Sequence, residues 1–175
     1  MKVRLIAGTI NHHQDDDEWH NIHLDVSERG IHSLVGGKGR FVPPDVVANL
    51  ADGLPMFEKN HFDEVRLNHV LEHMSLEANR RALTAVFRVL KQGGIADIEV
   101  PDIDAVCRAW VAGEYTPDAL QQWIYGEELK YHEPGDSHRY GFWSERLQEI
   151  LEATGFKVDA CENVGLALRA TARKP

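Results

Sequence analysis

The stretch GTINHHQDDDEWHNIHLDV, residues 8–26, crowds His12, His13, His20 and His23 together with Asp15, Asp16 and Asp17. Borderline imidazole nitrogens beside hard carboxylate oxygens are the donor types that hold a divalent transition metal. The spacing matches no zinc pattern such as HExxH, and adjacent His12 and His13 would have to point the same way to share an ion. The stretch also has too little apolar content for a buried helix, so an exposed polar loop is expected and no metal is assigned. VGGKGR, residues 35–40, has the glycines of a phosphate cradle, but it lacks the GxxxxGK[ST] spacing, and Val42, Pro43 and Pro44 follow where a helix should start. It reads as an inserted loop.

The elements that must position any site alternate between two periods. VRLIA (3–7), NIHLDV (21–26), DVVANL (45–50), DEVRLNHV (63–70) and GIADIEV (94–100) are short and rich in Val and Ile, as strands are. Between the last two, Leu83, Val86, Phe87 and Leu90 make an apolar stripe at helical spacing, with Ser75 as the cap and Lys91, Gly93 and Gly94 at the close. Further helices are expected over 102–114, over 116–129 with Thr116 as cap and Pro117 at the first position, and over 144–156 with Ser144 as cap and Gly155 as terminator. The tail from Phe156 alternates around Asn163–Gly165 and predicts a closing antiparallel hairpin. Together these give one α/β domain over 1–175: a doubly wound, mostly parallel sheet with an antiparallel edge. In such a sheet the ligand crevice lies beyond the carboxyl ends of the strands.

Composition narrows the function. With 175 residues the chain is the size of a single domain, and its net charge of −9 would repel a phosphate backbone, so no nucleic acid partner is expected. Arg80, Arg81 and Arg88 interleave with a helix stripe and read as a solvated face. No segment approaches the roughly 20 apolar residues of a membrane span, and the opening MKVRLIAGT is too short for a signal peptide. Cys107 and Cys161 lack CxxC spacing and suit a reducing, cytoplasmic setting. Self-association into a homo-oligomer is compatible with all of this.

From residue 45 onward the motifs fall into a familiar order: Asn49–Leu50, Leu54–Pro55, Phe62–Asp63, His69–Val70–Leu71–Glu72–His73, Arg88 to Gly94 as RVLKQGG, and Val100–Pro101–Asp102. This succession resembles the second half of the class I S-adenosylmethionine-dependent methyltransferases, with their HVLEH, RVLKPGG and VPD. LQQWIYG (120–126), HRYGF (138–142) and ILEATGF (150–156) resemble a small branch of that family. The resemblance implies a seven-stranded sheet and S-adenosylmethionine as cofactor. It also implies cofactor-binding positions at Gly8, His23, Asp25, Asn49, Leu50, Asn68 and His69, with Asn68 and His69 beside the methionine and sulfonium portion. Three of these depart from the family pattern. The glycine-rich turn LNLGCG is reduced to RLIAGT, in which only Gly8 survives. His23 stands where an acid accepts the ribose hydroxyls, with Asp25 on the same strand face as the alternative. Asn49 replaces the aspartate at the adenine amino group.

The same resemblance puts the acceptor pocket at YHEPGDSHRYGFW (131–143), where His138 would act as base, Arg139 would pair with an acidic acceptor and Tyr140 would orient it. Glu72 and His73 read instead as helix start and core packing. The function expected is methyl transfer to a small-molecule or glycan-type acceptor. The alternative is a methyltransferase-like binding or scaffold protein that has lost catalysis.

Overall fold

The structure, a computed structural model, describes residues 1–8, 17–25, 31–35, 38–42, 44–126 and 137–175. Nine strands are described: β1 (Lys2–Gly8), β2 (Trp19–Asp25), β3 (Ile31–Val35), β4 (Lys38–Val42), β5 (Val46–Val47), β6 (Phe62–Asn68), β7 (Leu90–Pro101), β8 (Lys157–Val164) and β9 (Ala167–Arg173). The described α-helices are α1 (Leu76–Val89), α2 (Ile103–Val111), α3 (Pro117–Tyr125) and α4 (Ser144–Thr154). Seven strands form one sheet in the order β5-β2-β1-β6-β7-β9-β8, and β3 with β4 make a separate antiparallel pair. The first five of the seven run parallel, while β9 is antiparallel to both β7 and β8. The expected seven-stranded sheet with a closing hairpin is thus what the chain forms.

Strand alternation sorts the sheet into two chemically different faces. Leu5 and Ala7, Leu24, Val65 and Leu67, Ala96, Ile98 and Val100, and Leu168, Ala170 and Ala172 point to one side. There they join Leu83, Val86 and Val89 of α1 and Leu147, Ile150 and Leu151 of α4 in a single buried cluster. The alternate positions carry ions: Arg4 pairs with Glu64 at 3.0 Å, Glu64 with Arg66, Arg66 with Asp97 at 3.7 Å, and Asp97 with Arg169 through two guanidinium nitrogens. Arg4 also stacks its guanidinium 3.8 Å over the Trp19 ring. Among the described residues no helix is long and apolar enough to cross a membrane.

Local chemistry fixes the ends of these elements. Ser75 caps α1 by accepting from the Ala78 N–H, and Thr116 caps α3 with Pro117 in the first position, both as expected. Gly155 ends α4 at φ +106°, and Gly165 sits in the β8–β9 turn at φ +71°.

Several expectations need correction. Helix α1 stops at Val89, because Leu90 is already extended and pairs with Phe62, so RVLKQGG enters β7 and its glycines do not close a helix. Ser144 is the first residue of α4 rather than its cap; Trp143 holds that place without a side-chain bond. The strand expected over 45–50 shrinks to Val46–Val47, since the Asn49 side chain accepts from the Ala51 N–H and turns the chain into a 3₁₀ turn, Leu50–Asp52. Of the stretch 35–40 expected as an inserted loop, Val35 ends β3 and Lys38–Arg40 belong to β4, with Val35 paired to Lys38. Arg88 is not simply solvated, for it donates to the carbonyls of Gly53, Leu54 and Phe57. Most of the histidine and aspartate run (residues 9–16), the end of the helix expected to reach residue 129, and residues 131–136 lie outside the described residues.

Candidate functional site

The chain runs outward from β1 through β2 to β5, then returns to the other side of β1 with β6 and β7, so strand order reverses between β1 and β6. In a parallel sheet that reversal opens a crevice at the carboxyl ends of the strands. Gly8 ends β1 and is in register with Asn68, the last residue of β6. Asp25 ends β2, and its carbonyl accepts from the Ala48 N–H at 2.8 Å. Asn49 and Leu50 follow β5 after Ala48, and His69 follows Asn68. The structure therefore brings the cofactor-binding positions expected from the sequence to one edge of four adjacent strands.

Individual residues differ in what they offer there. Gly8 has φ +97°, and a Cβ on it would lie 1.8 Å from the Asn68 carbonyl oxygen and 2.6 Å from Val70 Cγ2, so no side chain fits where β1 and β6 close together. Asn68 Oδ1 is sealed from solvent with no hydrogen-bond partner among the described residues, an acceptor that a ligand's N–H would satisfy. Asn49 is exposed; its carboxamide oxygen already accepts from Ala51 N–H at 2.9 Å and keeps a second lone pair. Leu50 is buried in the core at the start of the turn that Asn49 caps. His23 lies two residues short of the β2 end, buried, with its backbone N–H donating to Asp45 Oδ2 at 2.8 Å.

His69 is the strained residue of the edge. Its φ of 52° is left-handed, an uncommon state for a residue with a Cβ, and it is held by its N–H to the Glu99 carbonyl at 2.9 Å. The ring sits between two carboxylates, with Nδ1 2.9 Å from Glu72 Oε1 and Nε2 3.5 Å from Glu99 Oε1. The Glu72 hydrogen bond, joined by the charges of Glu72 and Glu99, outweighs partial burial and raises the imidazole above its ordinary pKa.

Glu72 is the hub that sequence reasoning missed. It is 1 % exposed, and its backbone carbonyl accepts from both the Arg139 and Tyr140 N–H groups, at 2.7 and 3.1 Å. The segment that follows residue 137 is thereby tied to the end of β6. His138 arrives beside His73 with ring centroids 5.0 Å apart, and its Nδ1 lies 3.0 Å from the Trp123 carbonyl oxygen. Glu72, His73 and His138 each place one donor atom within 4.8 Å of the others, a grouping able to hold a cation. Tyr140 is directed elsewhere: its hydroxyl accepts from Arg146 Nε of α4 at 2.6 Å, and its ring packs edge-on against Phe142. Arg139 is exposed. The signal available for Glu72 was its spacing, three after His69 and one before His73, but nothing local to those residues pointed to His138.

A parallel core reversing at its first strand, closed by an antiparallel hairpin and carrying a glycine-tight crevice at the reversal, defines a doubly wound fold of the class I methyltransferase type. The comparisons place the chain further. Its sequence matches the family model described as a methyltransferase domain over residues 12–98. That match, with the fold, supports a class I S-adenosylmethionine-dependent methyltransferase, for which S-adenosylmethionine is the cofactor. No curated protein matches by sequence. Among solved structures, a methyltransferase from Methanosarcina mazei aligns with 99 % of this chain and 92 % of its own at TM-score 0.63 and 16 % identity. The 1,6-didemethyltoxoflavin-N1-methyltransferase of Burkholderia thailandensis, with 1,6-didemethyltoxoflavin and S-adenosylhomocysteine bound, aligns over 99 % of this chain and 71 % of its own at TM-score 0.59 and 17 % identity. A Haloferax volcanii putative methyltransferase in complex with the Trm112 activator aligns at TM-score 0.62 and 14 % identity, covering 99 % and 83 %.

Proposed function

We propose that the protein transfers a methyl group from S-adenosylmethionine to a small-molecule or glycan-type acceptor. The observation that carries this reading is the convergence of Gly8, Asp25, Asn49, Asn68 and His69 on one crevice at the strand-order reversal. When bound, the cofactor supplies an electrophilic methyl on a sulfonium. Asn49 accepts from the adenine amino group, Asp25 with His23 takes the ribose hydroxyls, and Gly8 leaves the approach open. Asn68, whose buried carboxamide oxygen has no hydrogen-bond partner among the described residues, receives an N–H of the methionine portion, and His69 lies beside it. Such a reaction depends chiefly on holding the acceptor in line, an effect worth about 7–11 kcal/mol in well-oriented systems. His138 stands on the acceptor side. Its Nδ1 donates to the Trp123 carbonyl, which orients the ring, and the imidazole would take the acceptor proton. Tyr140 steadies the segment that carries it through Arg146. That the Burkholderia structure holds bound 1,6-didemethyltoxoflavin supports the small-molecule side of the reading. A cytoplasmic location belongs to the same proposal, and the free thiols of Cys107 and Cys161 support it.

A second reading, a methyltransferase-like binding protein without catalysis, is favoured by one observation: His23, in the place of the ribose-binding acid, is 3 % exposed and sits within the sheet. Calorimetric titration of the full chain with S-adenosylmethionine and S-adenosylhomocysteine separates the two. Saturable heat that is at least tenfold weaker in Asn68→Ala supports the transferase, whereas no heat and no melting shift at millimolar ligand leaves only the second reading.

A further inference from the structure

The sequence gives no metal to the end of β6, yet the side chains gathered there have the donors and the seclusion of a cation site. We propose that Glu72, His73 and His138 bind one divalent transition-metal ion, with zinc the best match to the donor set. Two imidazoles and a carboxylate are a three-ligand zinc arrangement that leaves a fourth position open, whereas magnesium and calcium favour oxygen ligands throughout. Donors bound at about 2.1 Å in a tetrahedral array lie about 3.4 Å apart. The three donors already lie within 4.8 Å of one another, so their separations need shrink by at most about 1.4 Å, within the reach of side-chain rotation, to close the site.

Three further observations separate this group from a chance cluster. Glu72 Oε2 and His73 Nδ1 are sealed from solvent and have no hydrogen-bond partner among the described residues. A buried carboxylate oxygen left in that state is costly, and a cation removes the cost. The donors are also aimed from outside, as metal ligands are: Glu72 Oε1 is held by His69 Nδ1 at 2.9 Å, and His138 Nδ1 by the Trp123 carbonyl at 3.0 Å, which leaves Nε2 of His138 as the coordinating nitrogen. Finally, the ligands come from two distant parts of the chain that the backbone locks together. Arg139 and Tyr140 donate to the Glu72 carbonyl, and the His138 N–H donates to the Tyr125 carbonyl at 3.0 Å.

The site itself does not depend on the cofactor. Its meaning for the acceptor does rest on the transferase reading: a cation with an open position beside His69 binds an acceptor hydroxyl and makes it more acidic, which narrows the acceptor to an oxygen compound and turns His138 from a base into a ligand.

The test uses the full chain without a histidine tag, stripped with chelator and titrated with zinc and with cobalt(II). One equivalent per chain by elemental analysis and calorimetry, with visible cobalt bands of a four- or five-coordinate site, is expected. Glu72→Gln and His138→Gln should each weaken binding at least a hundredfold with an unchanged circular dichroism spectrum. The double variant His12→Gln/His13→Gln should retain it. Absence of a stoichiometric ion, or binding that disappears with His12 and His13 but survives His138→Gln, overturns the proposal. If Glu72→Gln does not fold, His138→Gln decides alone. Titration of the stripped protein with S-adenosylmethionine keeps the two readings apart. Cofactor heat without zinc binding overturns only the cation site, and zinc binding without cofactor heat overturns only the transferase.

Discussion

Replacing Gly8 with alanine tests whether the crevice edge is as tight as the geometry says. Two costs add. A residue with a Cβ at φ +97° sits in left-handed space, worth about 1–2 kcal/mol. The new methyl would lie 1.8 Å from the Asn68 carbonyl, so β1 and β6 must separate, and overpacking of that kind costs about 1–3 kcal/mol. Against these, alanine restricts the unfolded chain and returns about 0.4–1 kcal/mol. Gly165 is the internal control: its φ is +71°, but no atom lies within 4 Å of the position a Cβ would take. Gly165→Ala therefore carries only the backbone and unfolded-chain effects. The difference between the two variants isolates the collision, at about 1–3 kcal/mol. With a urea slope of about 2 kcal/mol per molar, the Gly8→Ala midpoint should fall about 0.5–1.5 M below that of Gly165→Ala. The same separation of strands should weaken S-adenosylmethionine binding in Gly8→Ala and leave it unchanged in Gly165→Ala. Equal midpoints in the two variants would refute the claim that Asn68 closes over Gly8.

Other consequences can be checked independently. Arg88→Met removes a charged donor from three carbonyls in the 53–57 turn and should cost about 1.5–3 kcal/mol in urea unfolding, with faster amide exchange through residues 50–57. Partial burial alone would raise the Asp63 carboxyl, but bonds from the Lys91 ammonium and the Val3 N–H, with the charges of Lys91 and Lys2, hold it below its ordinary value. A carboxyl lowered by folding stabilises above its unfolded pKa of about 3.9 and loses that contribution as pH falls. Asp63→Asn should accordingly be less stable at neutral pH and show a shallower acid limb below about pH 4 in thermal melts. Burial, together with the charges of Asp102 and Glu145 and against the Ser144 hydroxyl, raises the Cys161 thiol, whereas Cys107 is exposed. Iodoacetamide at pH 8 should label Cys107 at least tenfold faster, read by peptide mass spectrometry.

What could be read from the sequence was whatever depends on neighbours in the chain. The caps at Ser75 and Thr116, the glycine stop at Gly155 and the tail hairpin are local bargains between a side chain and its own backbone, and each formed as expected. Element ends were less legible where a distant partner decides them. RVLKQGG has the composition of a helix finish, yet Leu90 is drawn into the sheet by Phe62. DVVANL alternates like a strand, but a single side-chain bond from Asn49 stops it after two residues. The same divide runs through the site. Gly8, Asp25 and Asn68 end their strands and Asn49 lies just past one, so locating the strands of a doubly wound sheet was enough to bring them to one edge. The meeting of His138 with Glu72 required the Asp102–Phe142 bridge and the Glu72 carbonyl to fold one remote segment onto another, and no spacing in the sequence encodes that.

The ionic face of the sheet bears on why the crevice is held so closely. Parallel strands covered by apolar helices on both sides are expected to read as continuous hydrophobic runs. Here the parallel β6 reads FDEVRLN, and its alternate residues join a chain of charge pairs from Arg4 through Glu64, Arg66 and Asp97 to Arg169, crossing β1, β6, β7 and the antiparallel β9. Slipping one strand by a single residue would turn its charges into the Leu5–Val65–Ile98 core and its aliphatic side chains outward, so the pattern specifies register. It does so most firmly where it is least exposed: the Arg4 and Glu64 side chains are 8 % and 11 % accessible, against 53 % for Arg169. Arg4 and Glu64 sit on β1 and β6, the two strands whose ends carry Gly8 and Asn68. A one-residue error there would remove the close approach on which the crevice depends. The charged ladder therefore helps to specify the strand alignment on which the site depends.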